Sequence, residues 1–127
     1  MSHLKSGRLF ITIGGLSGAI AVILGAYGAH ALQGVTATHL GIFKTASLYH
    51  LVHSIVLVLV GIVARFIPNS ALIHWSGWLF IAGVLLFPGT LYFKTMASIS
   101  FGLATPLGGI CLILAWLLLA VGSLKAD

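Results

Sequence analysis

The sequence predicts an all-α protein: an integral membrane four-helix bundle with both termini on the cytoplasmic side. Two observations carry this. Of 127 residues, 60% are apolar and the mean hydropathy is +1.19, well above the share usual in soluble domains. The few charges also punctuate the chain. No Asp, Glu, Lys or Arg lies between Arg8 and Lys44, Lys44 and Arg65, Arg65 and Lys94, or Lys94 and Lys125. Each gap holds the roughly 20 residues that a helix needs to cross about 30 Å of hydrocarbon, where only a closed backbone hydrogen-bond pattern survives.

Spans are expected near residues 9–29, 45–64, 73–93 and 101–124, together one transmembrane domain. The first carries Gly14, Gly18, Ala21, Gly25, Gly28 and Ala29, a small-residue stripe at helical spacing that lets another backbone come close. Lys5, Arg8, the apolar run and Ala29-His30-Ala31 also resemble a cleavable signal; the segment is expected to be retained as a span. Residues 36–43 can add an interfacial turn or two before the second span. Residues 65–70 read as a turn, with Pro68 and Asn69 stopping one helix and Ser70 able to cap the next. Pro88-Gly89 inside the third span and Thr105-Pro106 early in the fourth are expected to kink their helices, with Thr90 or Thr105 hydroxyls satisfying freed carbonyls. Gly108 and Gly109 extend the small-residue theme into the fourth span. Tight packing within the bundle is the preferred use of these glycines, with homodimerisation through Gly14 and Gly18 second.

Four spans put both termini on one side. If that side is cytoplasmic it holds Lys5, Arg8, Arg65 and Lys125, against Lys44 and Lys94 opposite, where both would snorkel to headgroups. Trp75 and Trp78 on one face, and Phe43, Tyr49, Tyr92 and Phe93 on the other, would form aromatic belts. His3, His39 and His74 are assigned to a tail and to exposed loops, and Cys111 to the core.

Composition excludes much chemistry. The only acid among 127 residues is Asp127, so paired-carboxylate hydrolysis, carboxylate-bound calcium, Ser-His-Asp triads and carboxylate proton relays lack their groups. One cysteine makes neither an internal disulfide nor a zinc cluster. The formal charge of +5 comes from scattered residues rather than a basic face, which argues against nucleic acid.

Histidine is left as the chemical candidate. His50 and His53 share a helical face with Tyr49 on its flank, and His53 would lie about 12 Å deep when counted from Thr45. His30, ending the first span, stands at the level of Tyr49 and His50. The preferred reading is that these imidazoles hydrogen-bond across helices to groups such as Ser17, Ser54 or Thr90, at roughly 1 kcal/mol or less each. A second reading is haem or copper ligation. Residues three apart on one helix cannot supply opposed axial ligands, so His30 would have to join. A third is a polar lining of His50, His53 and Tyr49 for a proton or small solute.

The strings Gly25-Ala26-Tyr27-Gly28-Ala29-His30-Ala31-Leu32, Thr45-Ala46 with Tyr49 and His53, Phe87-Pro88-Gly89-Thr90-Leu91-Tyr92, and Thr105-Pro106-Leu107-Gly108-Gly109 with Trp116 appear in order along the chain. Together they resemble the domain-of-unknown-function 423 family of small bacterial inner-membrane proteins, to which eukaryotic transmembrane protein 256 is similar. The resemblance implies a four-span bundle and no stated activity, substrate or cofactor. It puts His30, Tyr49 and His53 on the family's polar motif positions and His50 where glutamine is common. Residues 33–43 depart from the pattern, since many members carry charges there.

The functional expectation is a non-enzymatic membrane protein without cofactor or metal that acts by association. It would serve as an accessory subunit of a larger membrane complex, respiratory or metalloenzyme, shielding lipid-facing surfaces or holding lipid and quinone, or it would form a homo-oligomer. Its partners would be membrane lipid and other integral subunits or itself. The alternative is a histidine-based site binding haem or metal, or passing a small solute.

Overall fold

A computed structural model describes residues 2–125; Asp127 and the side chain of His3 lie outside the described residues. Every regular element among the described residues is helical: α1 (Ser2–Ala31), α2 (Ala37–Phe66), α3 (Ala71–Leu86), α4 (Pro88–Met96) and α5 (Ala104–Leu124). Four segments are long and apolar enough to cross a membrane, namely Lys5–Ala31, Ala37–Phe66, Ala71–Met96 and Ala104–Leu124, so α3 and α4 share one span.

The boundaries follow from local chemistry. Gly34, at φ +88°, takes the left-handed conformation that glycine adopts without a steric penalty and so turns the chain after α1. Thr36 then caps α2, its hydroxyl accepting from His39 N–H. Residues 36–43 become the start of one continuous 30-residue helix, about 45 Å long. His39 therefore sits in the first turn of α2 rather than in a loop. Ser70 caps α3 by accepting from Ile73 N–H at 3.4 Å. His74 is likewise helical and half-buried, and its Nδ1–H donates to the Ser70 carbonyl at 2.8 Å.

The two prolines behave differently. Pro88 splits the third span: Phe87 N–H closes α3 on the Gly83 carbonyl, and Pro88 opens α4. The Thr90 hydroxyl donates to the carbonyls of Leu86 (2.7 Å) and Phe87 (3.1 Å) at this break. With that hydrogen committed, the Thr105 hydroxyl must be the donor in its 2.6 Å contact with Thr90, which ties α5 to α4. Pro106 produces no kink, contrary to expectation. It is the third residue of α5, where its missing N–H is among the four that a helix start leaves unpaired in any case.

α1 packs along α2 and α3 along α5, while α2 also meets α3 and α4. α2 is the most buried span and α1 the least. The largest core cluster gathers Phe10, Leu57, Val60, Ile73, Phe80 and Leu112 from four helices. Neighbouring helices run antiparallel: Gly7 approaches Gly61 and Arg65, and Gly122 approaches Leu72 and Ile73. One end of the bundle thus carries Lys5, Arg8, Arg65 and Lys125, and the other carries Lys44 and Lys94. The aromatic belts need correction. Trp75, Trp78, Tyr49 and Phe93 are exposed, but Phe43 (3% exposed) and Tyr92 (7%) belong to the core and meet edge to face at 5.4 Å.

Glycine matters where backbones touch. A Cβ on Gly14 would stand 2.8 Å from Val58 Cγ2 and 2.9 Å from Val58 N; one on Gly28 would enter the Phe43 ring, and one on Gly108 would strike the backbone of Leu86 and Phe87. Gly14 is therefore committed to α2 of its own chain and is not free for a second copy. Gly18, Gly25 and Gly109 each leave 3.9 Å to the nearest atom. Gly61, not singled out in the sequence, would bring a Cβ 2.7 Å from the Gly7 carbonyl. Gly14→Ala should lower stability by about 1–3 kcal/mol through overpacking, whereas Gly18→Ala should stay within about 0.5 kcal/mol. Unfolding titrations in a fixed detergent compare the two, and equal effects would contradict the contact assigned to Gly14.

Candidate functional site

Two polar clusters lie side by side on α2, and both are built from residues that the helical period forces together. The first begins with Ser54, one turn beyond His50. Its hydroxyl donates to the His50 carbonyl at 2.7 Å. That uses the only hydrogen Ser54 has, so in its 2.6 Å contact with Ser17 the Ser17 hydroxyl donates. Ser17 can then only accept from His50 Nε2, 3.0 Å away. His50 is thereby the Nε2–H tautomer, and Tyr92 O–H must donate to its Nδ1 at 3.0 Å. Four hydrogens run in one direction, from Tyr92 on α4 through His50 and Ser17 to Ser54, and finish on a backbone carbonyl.

The second cluster holds His53. Its Nδ1–H donates to the Tyr49 carbonyl at 2.7 Å, which leaves Nε2 as an acceptor, and the Trp116 indole N–H donates to it at 3.2 Å. Tyr49 stacks on the imidazole at 5.6 Å with rings 17° apart, and Phe87 meets Tyr49 edge to face at 4.9 Å. Phe80 packs against both His53 and Trp116. A cleft of about 380 Å³ between α2 and α5 is lined by Tyr49, His53, Phe87, Gly109 and Trp116.

The candidate ligands separate accordingly. His50 and His53 are both buried at 6% exposure, yet they belong to different clusters with different partners. Tyr49 flanks His53 and is itself largely exposed. His30 is exposed at the end of α1 and takes no part in the contacts that hold Tyr49 or His50, so the approach expected of it does not occur. In this arrangement both ring nitrogens of each buried histidine are engaged, and neither offers a lone pair to iron or copper. Among the described residues no group of three or more His, Cys, Asp or Glu side chains could hold a metal ion.

Comparison with known proteins agrees with this architecture. The family model described as protein of unknown function, DUF423, matches residues 24–109. The chain belongs to the DUF423 family. An UPF0382 membrane protein of Staphylococcus aureus (strain bovine RF122) is 36% identical over 120 residues, covering 93% of this chain and 97% of its own. The UPF0382 membrane protein YwdK of Bacillus subtilis (strain 168) is also 36% identical over 120 residues, covering 93% and 98%. A Staphylococcus epidermidis relative is 34% identical over the same length. No solved structure matches. With four membrane-spanning helices, this DUF423 chain is a multi-pass membrane protein.

The fold brings three of the four DUF423 strings to one place: Tyr49, His53, Phe87, Gly109 and Trp116 all line the α2–α5 cleft, while Gly25, Gly28, Ala29 and Leu32 of the first string line a separate cavity. Trp116 was the residue least visible as a site member from sequence. Its signal was position, since a tryptophan in mid-span cannot reach the interface and needs a buried acceptor for its N–H. Coupling between His53 and Trp116 should appear in a double-mutant cycle of His53→Ala and Trp116→Phe, measured by unfolding in detergent. The expected value is about 0.6 and at most roughly 1.7 kcal/mol, the range of interhelical bonds in membranes. Strict additivity would remove the bond.

Proposed function

We propose that this DUF423 protein has no enzymatic activity and works by association, as an accessory subunit of a larger membrane complex. The observation that carries this reading is the division between inside and outside. Inside, both ring nitrogens of His50 and of His53 are engaged within the protein, so neither buried imidazole has a nitrogen to offer a substrate. Outside, α1 presents Leu16, Ile20, Val22 and Ile23, and α5 presents Ile110, Ile113 and Leu117, all at least half exposed. These apolar faces suit lipid or the helices of another subunit equally well, because lipid offers no hydrophobic penalty for separation and shape decides. Assembly with further copies of the same chain is the runner-up; it would have to use the outer face of α1, since Gly14 is occupied by α2.

Mild-detergent purification from native membranes at endogenous expression, followed by mass spectrometry of stoichiometric companions, tests the proposal. A constant heterologous partner is expected. Recovery alone would overturn the subunit reading, and recovery only with itself would favour the homo-oligomer. The same reading puts both termini in the cytoplasm, because the end with four basic residues belongs inside. Reporter fusions at the two termini and at residue 97 should report inside for the termini and outside for the loop.

A further inference from the structure

A groove of about 500 Å³ opens between α1 and the α3–α4 span, separate from the cleft that His53 lines. Its walls are apolar, with Leu16, Ile20, Leu85 and Phe93 at the rim, each more than half exposed. Three polar residues line it: Ser17, His50 and Tyr92. They are the members of the directed hydrogen-bond chain, and that chain fixes what the groove can recognise. Every hydrogen is committed, from Tyr92 to His50 Nδ1, from His50 Nε2 to Ser17, from Ser17 to Ser54, and from Ser54 to the His50 carbonyl. What remains is acceptor capacity only, on the second lone pair of Ser17 Oγ, because the Ser47 hydroxyl already donates to Tyr92 Oη. A complementary ligand must bring its own hydrogen.

Depth narrows the class further. Ser17 and His50 stand near the middle of their 30-residue helices, so the polar floor lies close to the bilayer midplane, where a charged or zwitterionic headgroup is costly. We infer that the groove binds a neutral lipid with a free hydroxyl on a long hydrocarbon tail, held by the Ser17–His50–Tyr92 floor. A quinol, an isoprenoid alcohol and a diacylglycerol share this chemistry; a quinone, an ether and a phospholipid do not. This site is independent of whether the chain has a protein partner.

The test uses the full chain in detergent micelles and a diazirine-bearing geranylgeraniol, beside its methyl ether. The alcohol should label groove residues about 3- to 10-fold better than the ether, the worth of one neutral hydrogen bond. Equal labelling by the two, or labelling elsewhere, overturns the proposal. Ile20→Trp narrows the groove from an exposed position and should abolish labelling while leaving the unfolding transition unchanged. Ser17→Ala makes a sharper demand. It deletes the acceptor of the His50 hydrogen, so with Tyr92 still donating to Nδ1 the Nε2–H is left without its partner on the groove floor. The preference should invert toward the ether. Retained preference for the alcohol in Ser17→Ala would contradict the hydrogen assignment that the proposal rests on. Competition by menaquinol, undecaprenol and dioleoylglycerol separates the sources: displacement by one identifies it, and displacement by none counts against the site.

Discussion

The approach of α1 to α2 at Gly14 is the contact on which the polar interior depends. A glycine there lets the α1 backbone lie against Val58 and the Ser54 carbonyl. One turn further along α1, Ser17 then comes within 2.6 Å of Ser54 and 3.0 Å of His50. A side chain at residue 14 would press the helices apart and stretch both contacts, in a medium that offers no replacement partner. Helix packing and hydrogen bonding are thus one constraint here, with the small residue setting the distance and the polar residues using it.

α2 occupies the centre because it carries polar groups on two flanks. His50 and Ser54 need α1 and α4, and His53 needs α5, so three partners must surround one helix. α1 and α5 each satisfy a single flank and leave the rest of their surface to the membrane. The break at Pro88 serves the same arrangement. It divides one span into α3, which packs on α5, and the nine-residue α4, which delivers Tyr92 to His50 and Thr90 to Thr105.

Much of this was legible from residues alone, for identifiable reasons. Charge spacing located the four spans because lipid admits few exceptions to the length and composition of a crossing helix. The Ser70 cap and the Pro88 break were readable because both act through backbone geometry within a few residues. Ser17 and Ser54 were named as histidine partners because few other polar groups exist at that depth. The rest required contacts between distant parts of the chain. Phe43 and Tyr92 sit in sequence where interfacial aromatics belong, and only the positions of α2 and α4 turn them inward. His30 lies beyond Gly28, which already faces Phe43, so it stands roughly two turns of α2 away from His50. Gly14 and Gly18 look alike in a stripe, yet one touches backbone and the other has room. Small-residue spacing shows that a close face exists and leaves open which of its residues makes the contact.

The directed hydrogen-bond chain also bears on how the protein is made. Ser17, His50 and Ser54 all lie in the first two helices, so a nascent hairpin of α1 and α2 already settles these hydroxyls and one imidazole nitrogen while the remainder is still in the ribosome. Tyr92 completes that set with the third span. His53 waits longer, since its indole partner belongs to the last helix to leave the tunnel. α5 therefore inserts into a bilayer in which two unfilled acceptors, His53 Nε2 and the Thr90 hydroxyl, mark its docking place, and Trp116 and Thr105 enter hydrocarbon with the matching hydrogens. Chain order and polar matching agree, and each helix arrives to find the previous ones already paired except at the point where it is needed.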